Sequence, residues 1–203
     1  MDFTYYVAMT ITVFYLLFRS IDKKNHLWVH LLHEILVVFF ASLARYMESE
    51  ELISLTFALI VGLYSVDIFH VSGLYILHHF MSILLGIVLK LCTFRLQLMG
   101  CLILNIEIST IFLTIKYMIE DGLIKPGPRI ELFNKILFAI TFIITRPIRV
   151  PIIIYTTYET LIEDCPFTYS YILFLLCSFT VLQYVWAYKV ILSVKKSLIK
   201  FYE

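Results

Sequence analysis

Long apolar runs, each closed by a short cluster of charged or turn-forming residues, organise this chain from end to end. Seven lie near residues 3–18, 27–47, 51–69, 73–92, 96–118, 131–155 and 168–192. The polar punctuation agrees with that division. "RSIDKKNH" parts the first two runs, "MESEE" the next two, "EDGLIKPGPR" the fifth from the sixth, and "YETLIEDCPF" precedes the last. Only "HVSG" stands between the third and fourth, which predicts a very tight connection. Runs of about 18 or more apolar residues with few charges read as transmembrane helices. The first run is short for a hydrocarbon core about 30 Å thick, which predicts bilayer thinning or a shallow seat. No run alternates as a barrel strand does, and hydrocarbon tolerates no unpaired backbone groups, so helices are expected throughout. The expected fold is all-α: a single polytopic membrane domain over residues 1–203 with about seven transmembrane helices.

Charge tests the number of spans. With seven, one side carries Arg19, Lys23, Lys24, Lys116, Lys125, Arg129, Lys135, Lys189, Lys195, Lys196 and Lys200. The other carries only Arg45, Lys90 and Arg95. This bias places the C terminus in the cytosol and the N terminus in the lumen or outside. Six or eight spans would scatter it. Composition points the same way, with 61% hydrophobic and 15% charged residues, against about 45–50% and about 25% in ordinary globular domains. The net charge of +1 offers no basic face for nucleic acid. Cys92, Cys101, Cys165 and Cys177 show no CxxC spacing, and neither a disulfide framework nor a metal site is assigned to them. The first run lacks a basic leader and a small-residue cleavage site, so it reads as a retained span.

Polar residues inside such spans are costly and therefore informative. His30, His33 and Glu34 fall in span two, Asp67 and His70 at the end of span three, and His78 and His79 in span four. Asn105, Glu107, Ser109 and Thr110 follow in span five, Arg146 and Arg149 in six, and Gln183, Tyr184, Trp186 and Tyr188 in seven. Some have interfacial readings. Asp67 and His70 lie at a helix end, Glu34 is one turn from a basic loop, and Tyr188 with Lys189 resembles an aromatic belt with a snorkelling cation. Glu107 and Arg146 lie deeper and predict a mutual buried ion pair. Adjacent residues on a helix point roughly 100° apart. One ring of His78 and His79 is therefore expected to line a cavity while the other bonds a neighbouring helix.

Neutral imidazole serves as base, nucleophile or metal ligand near pH 7. In a lipid-facing cavity the natural electrophile is an acyl ester or thioester. Histidine attack would give an acyl-imidazole, with a nearby carboxylate orienting the ring. Metal chemistry is the weaker reading. Six histidines fall short of the clustered sets of membrane desaturases, and only His33 with His79 suggests a haem pair.

The order of these residues resembles the TLC-domain family, which includes ceramide synthases, translocating-chain-associated membrane proteins and lipid-homeostasis proteins. The matching segments are "VHLLHEILVV" with His33, "YSVDIF" with Asp67 and "LHHFMSIL" with His78, His79 and Ser82. They continue as "LNIEISTIFLTIKYM" with Glu107 and Ser109, "NKILFAITFIITRP" with Arg146, and "LQYVWAYKVI" with Trp186. The resemblance runs from about residue 26 to 198. It implies helices bundled around a lipid cavity in the endoplasmic reticulum membrane, with membrane lipids and long-chain acyl groups as partners. It makes His78, His79 and Asp67 the acyl-transfer candidates, and acyl-CoA a co-substrate, with no bound cofactor. His33, Ser82, Glu107, Ser109, Arg146 and Trp186 are the supporting or cavity-lining candidates. Ser82 replaces a threonine of the ceramide synthases, and Glu107 stands where those enzymes have two aspartates; "E-x-S-T-x-F-L" is nearer the lipid-homeostasis members.

Three functional classes follow: an acyltransferase, a non-catalytic lipid-binding or trafficking protein, and a scaffold held by its polar residues. The terminal "KFYE" is at most a weak retrieval signal, which gives the trafficking version little support. Whether copies pair as a homo-oligomer is left open by the sequence.

Overall fold

The computed structural model describes residues 2–22 and 25–202, with side chains described as far as Ile199. Lys23, Lys24 and the side chains of the terminal "KFYE" lie outside the described residues. All seven expected runs are helical: α1 Phe3–Ser20, α2 His26–Met47, α3 Glu50–Asp67, α4 Leu74–Lys90, α5 Phe94–Glu120, α6 Pro128–Asp164 and α7 Tyr169–Tyr202. There is no strand among the described residues.

Local chemistry sets the ends. Asp2 accepts from the Thr4 N–H and Ser49 from the Leu52 N–H, each at 3.3 Å, satisfying first-turn donors of α1 and α3. Pro128 opens α6 where its missing N–H goes unneeded. The α3–α4 connection takes six residues, 68–73, where four were expected. The His70 and Val71 N–H groups turn back onto the Asp67 carbonyl at 2.7 and 3.2 Å, ending α3 early. Gly73, at φ 60°, then reverses the chain in a conformation glycine adopts without steric cost.

By length and apolarity alone, α2, α5, α6 and α7 suffice to cross a membrane. Helices α1, α3 and α4 have 17 or 18 residues. The position of α3 explains how a short helix with three carboxylates fits the bundle. Thirteen of its 18 residues are buried, enclosed by α1, α2, α4 and α5. Glu50 and Glu51 remain exposed at its first turn. The Thr10 hydroxyl on α1 donates to the Ala58 carbonyl on α3 at 2.9 Å, and Gly62 lies directly under Thr10. A Cβ there would run into the Thr10 side chain and backbone. Gly62→Ala is therefore expected to destabilise by about 1–3 kcal/mol through overpacking. Thermal unfolding of the purified protein checks this, with Gly127→Ala unchanged because nothing lies within 4 Å of that position.

Two helices are interrupted midway. In α5 a 3₁₀ turn spans Asn105–Glu107, and in α6 a π turn spans Ile144–Ile148 around Pro147. Proline cannot continue the regular ladder, and such turns re-aim side chains. The two turns touch, bringing Glu107 and Arg146 face to face.

Candidate functional site

A cavity of about 720 Å³ opens at the end of the bundle formed by the α1–α2, α3–α4 and α5–α6 connections and the later part of α7. All six histidines of the chain line it. Three of them, His26, His30 and His33, share one face of α2 because they recur every three or four residues. That spacing was a sequence signal for a common site. The reading by spans passed over His26, which lies in the first turn.

The cavity floor is built on Arg146. Its guanidinium donates from Nε to Ser109 Oγ at 2.9 Å, from Nη2 to Thr110 Oγ1 at 2.5 Å and from Nη1 to Gln183 Oε1 at 3.3 Å. Nη2 also faces Glu107 Oε2 at 3.5 Å, and both side chains are about 5% exposed. The expected Glu107–Arg146 pair thus exists, and its arginine fork ties α5, α6 and α7 together. Thr110 donates to Glu107 Oε2 at 2.6 Å and Tyr64 to Oε1 at 3.4 Å. A buried ion pair needs such added bonds to offset its desolvation. Arg146, Ser109 and Thr110 line the cavity; Glu107 lies behind them, in a separate small pocket.

Above the floor, Asp67 is bracketed by two histidines. His30 Nε2 lies 3.3 Å from Oδ1 and His79 Nδ1 3.4 Å from Oδ2. Asp67 is enclosed by the bundle, at only 4% exposure. Its neighbour His70, beyond the helix end, is exposed at the mouth as expected. Tyr64, one turn before Asp67, stacks flat on His79 with ring centres 4.3 Å apart and an interplanar angle of 7°. The sequence reading passed over Tyr64, although the 64/67 spacing places both residues on one face. His79 is therefore fixed in plane by a ring, with a carboxylate beside Nδ1 but no hydrogen bond formed to it. A carboxylate accepts, so a hydrogen bond closed between them would hold the proton on Nδ1 and leave the lone pair on Nε2. The Asp67–His79 contact is longer than a formed hydrogen bond. Catalytic pairs commonly tighten only when the reacting group is in place.

His78 also faces the cavity, against Trp186 at 5.2 Å and Phe179 at 5.0 Å between ring centres. Both rings of the pair line the same space, and His79 is also the one that meets a neighbouring helix, through Asp67 on α3. Trp186 in turn stacks on Tyr75, whose hydroxyl meets that of Tyr117 at 3.0 Å and bridges α4 to α5.

The remaining candidates divide. His33 lines the cavity but commits Nε2 to the Leu59 carbonyl at 3.1 Å, leaving Nδ1 without a partner. Ser82 is not among the cavity residues: one turn further along α4 from the mouth than His78 and His79, it lines the small pocket with Gly86 and Glu107. Glu34 is enclosed by the bundle as well. It is 5% exposed, accepts from Thr114 at 2.8 Å through Oε1, and leaves Oε2 unpaired. Among the described residues no three His, Cys, Asp or Glu side chains converge at metal-binding distance.

A helical membrane bundle with a buried, histidine-lined cavity is the class that fold and site define. The family model for the TLC domain matches residues 1–192, and the chain belongs to that family. The match includes α1, which the resemblance counted from residue 26 left out. No curated protein and no solved structure matches it. Membership makes this an integral membrane protein with a lipid-related role.

Proposed function

We propose that the protein is an acyl-CoA-dependent acyltransferase that moves a long acyl chain onto a membrane-embedded lipid amine or hydroxyl, with His79 as nucleophile. One observation carries this reading: Asp67 lies 3.4 Å from His79 Nδ1, while the ring borders a cavity of about 720 Å³. Cavities of about 300–1,000 Å³ are usual for small-molecule sites.

The reaction follows from the ring's orientation. Nε2 attacks the thioester carbon, the carbon–sulfur bond breaks, and the coenzyme leaves as thiolate. The Nδ1 proton moves to Asp67, leaving a neutral acyl-imidazole. The acceptor's amine or hydroxyl then attacks the same carbon, and the nitrogen–carbon bond breaks. The acceptor's proton restores the ring, and the proton held on Asp67 ends on the thiolate. The products are an acyl lipid and free coenzyme thiol. Arg146, its guanidinium committed to Ser109, Thr110, Gln183 and Glu107, holds the floor of the cavity in place.

We place the protein in the endoplasmic reticulum membrane, N terminus lumenal and C terminus cytosolic. The charge bias supports that orientation, and the mouth is bordered by Lys116 and Lys189, which favour an anionic coenzyme.

The test uses protein in liposomes of total microsomal lipid, given palmitoyl-CoA labelled in the acyl chain. Labelled acyl lipid and free thiol are expected to appear in equal amounts with the wild type, and neither with His79→Ala. Lipid that copurifies with the protein, without any transfer, would instead establish a non-catalytic lipid-binding protein.

A further inference from the structure

The end of the bundle opposite the mouth holds two thiols that the proposed chemistry does not use. Cys92 lies on the α4–α5 connection and Cys165 on the α6–α7 connection. They are far apart in sequence, which is why spacing paired neither. In the fold the two connections meet, while the Cys92 thiol itself donates to the Val88 carbonyl at 3.3 Å. The adjacent residues are joined, with Thr93 Oγ1 donating to Asp164 Oδ2 at 2.7 Å. The residue after Cys92 is thus pinned to the residue before Cys165, which sets the two cysteine positions side by side. Both cysteines are free thiols, Cys165 buried and Cys92 half-buried. Cys101 is buried on α5 and Cys177 is exposed on α7.

We propose that Cys92 and Cys165 are a disulfide site, oxidised in the cell to a bond that staples the α4–α5 connection to the α6–α7 connection. The inference rests on the orientation proposed above, which puts this end in the lumen. Disulfides form and persist in such oxidising compartments. Two connections already pinned side by side suit the short approach of α-carbons that a disulfide demands. The oxidant is a small or protein disulfide of the lumen. One thiolate attacks its sulfur, giving a mixed disulfide and one released thiol; the second attacks the mixed disulfide, forming the Cys92–Cys165 bond and releasing the other. Two electrons pass to the oxidant, and the two protons lost by the cysteines end on the two thiols it releases. The staple joins α4, which carries His78 and His79, to α6, which carries Arg146, below the site they share.

The experiment traps thiols with N-ethylmaleimide in intact cells before lysis, then maps unreduced peptides of the full-length protein by mass spectrometry. A linked peptide pair containing Cys92 and Cys165 is expected, lighter by two hydrogens than the free pair and lost on reduction. Protein purified in detergent, reduced and then given oxidised glutathione should reform the same link. Failure to link in both settings would overturn the juxtaposition. Linking in detergent, with both cysteines alkylated in cells, would overturn the proposal through its orientation and leave the geometry standing. Cys177, on the lipid-facing side of α7, should remain unlinked throughout.

Discussion

Asp67→Asn is expected to lower acyl transfer by about two to four orders of magnitude, the usual range for losing a positioned acid–base group, while the protein still folds. The carboxylate meets two imidazoles, His30 at 3.3 Å and His79 at 3.4 Å. An amide of the same shape offers one oxygen and one NH₂, so it accepts from one ring and turns a donor towards the other. His79 then loses both the group that takes its Nδ1 proton and the bias that keeps the lone pair on Nε2. The loss should fall on the rate of thiol release, with the melting temperature near that of the wild type. Equal loss of rate and of folded protein would make Asp67 a structural residue instead.

Arg146→Leu is expected to be the most damaging single substitution to the fold. Arg146 holds Ser109, Thr110 and Gln183 by hydrogen bonds and faces Glu107. Removing one partner of a buried pair leaves the other charge uncompensated, at a cost of about 3–5 kcal/mol. Native stabilities are only about 5–15 kcal/mol. Low yield and a strongly lowered melting temperature are the expected results. Replacing Glu107 as well, by Gln, should recover part of the loss, because no unpaired charge then remains at the floor. A double variant no better than Arg146→Leu would show that the arginine's hydrogen bonds matter more than the charge pairing.

The fold was largely legible because its two strongest signals, apolar run length and charge asymmetry, are both local. The pair of Glu107 and Arg146 was legible for a related reason: two opposite charges deep in separate spans have few other partners. Depth within the bundle was harder to read. Glu34 sits one turn from a basic loop and Asp67 at a helix end, so position along the chain placed both near the headgroups. The cavity enters the bundle at that very end, and the packing of α2, α3 and α5 encloses both residues. Tyr64 carried no polar flag, since a tyrosine in a membrane helix is unremarked until its ring is found on His79. Ser82 failed for a geometric reason. It shares the face of the histidines but lies one turn further from the mouth on α4, below the cavity, which places it in the small pocket with Glu107. The cysteine pair was invisible for want of any sequence rule that brings two distant connections together.

The most direct measurement is the intact mass of the purified protein after incubation with palmitoyl-CoA and no acceptor lipid. With the second half of the reaction blocked, the wild type should gain the mass of one palmitoyl group, mapped to His79, and His79→Ala should gain none. An unchanged wild-type mass, or an adduct that persists in His79→Ala, would contradict the account.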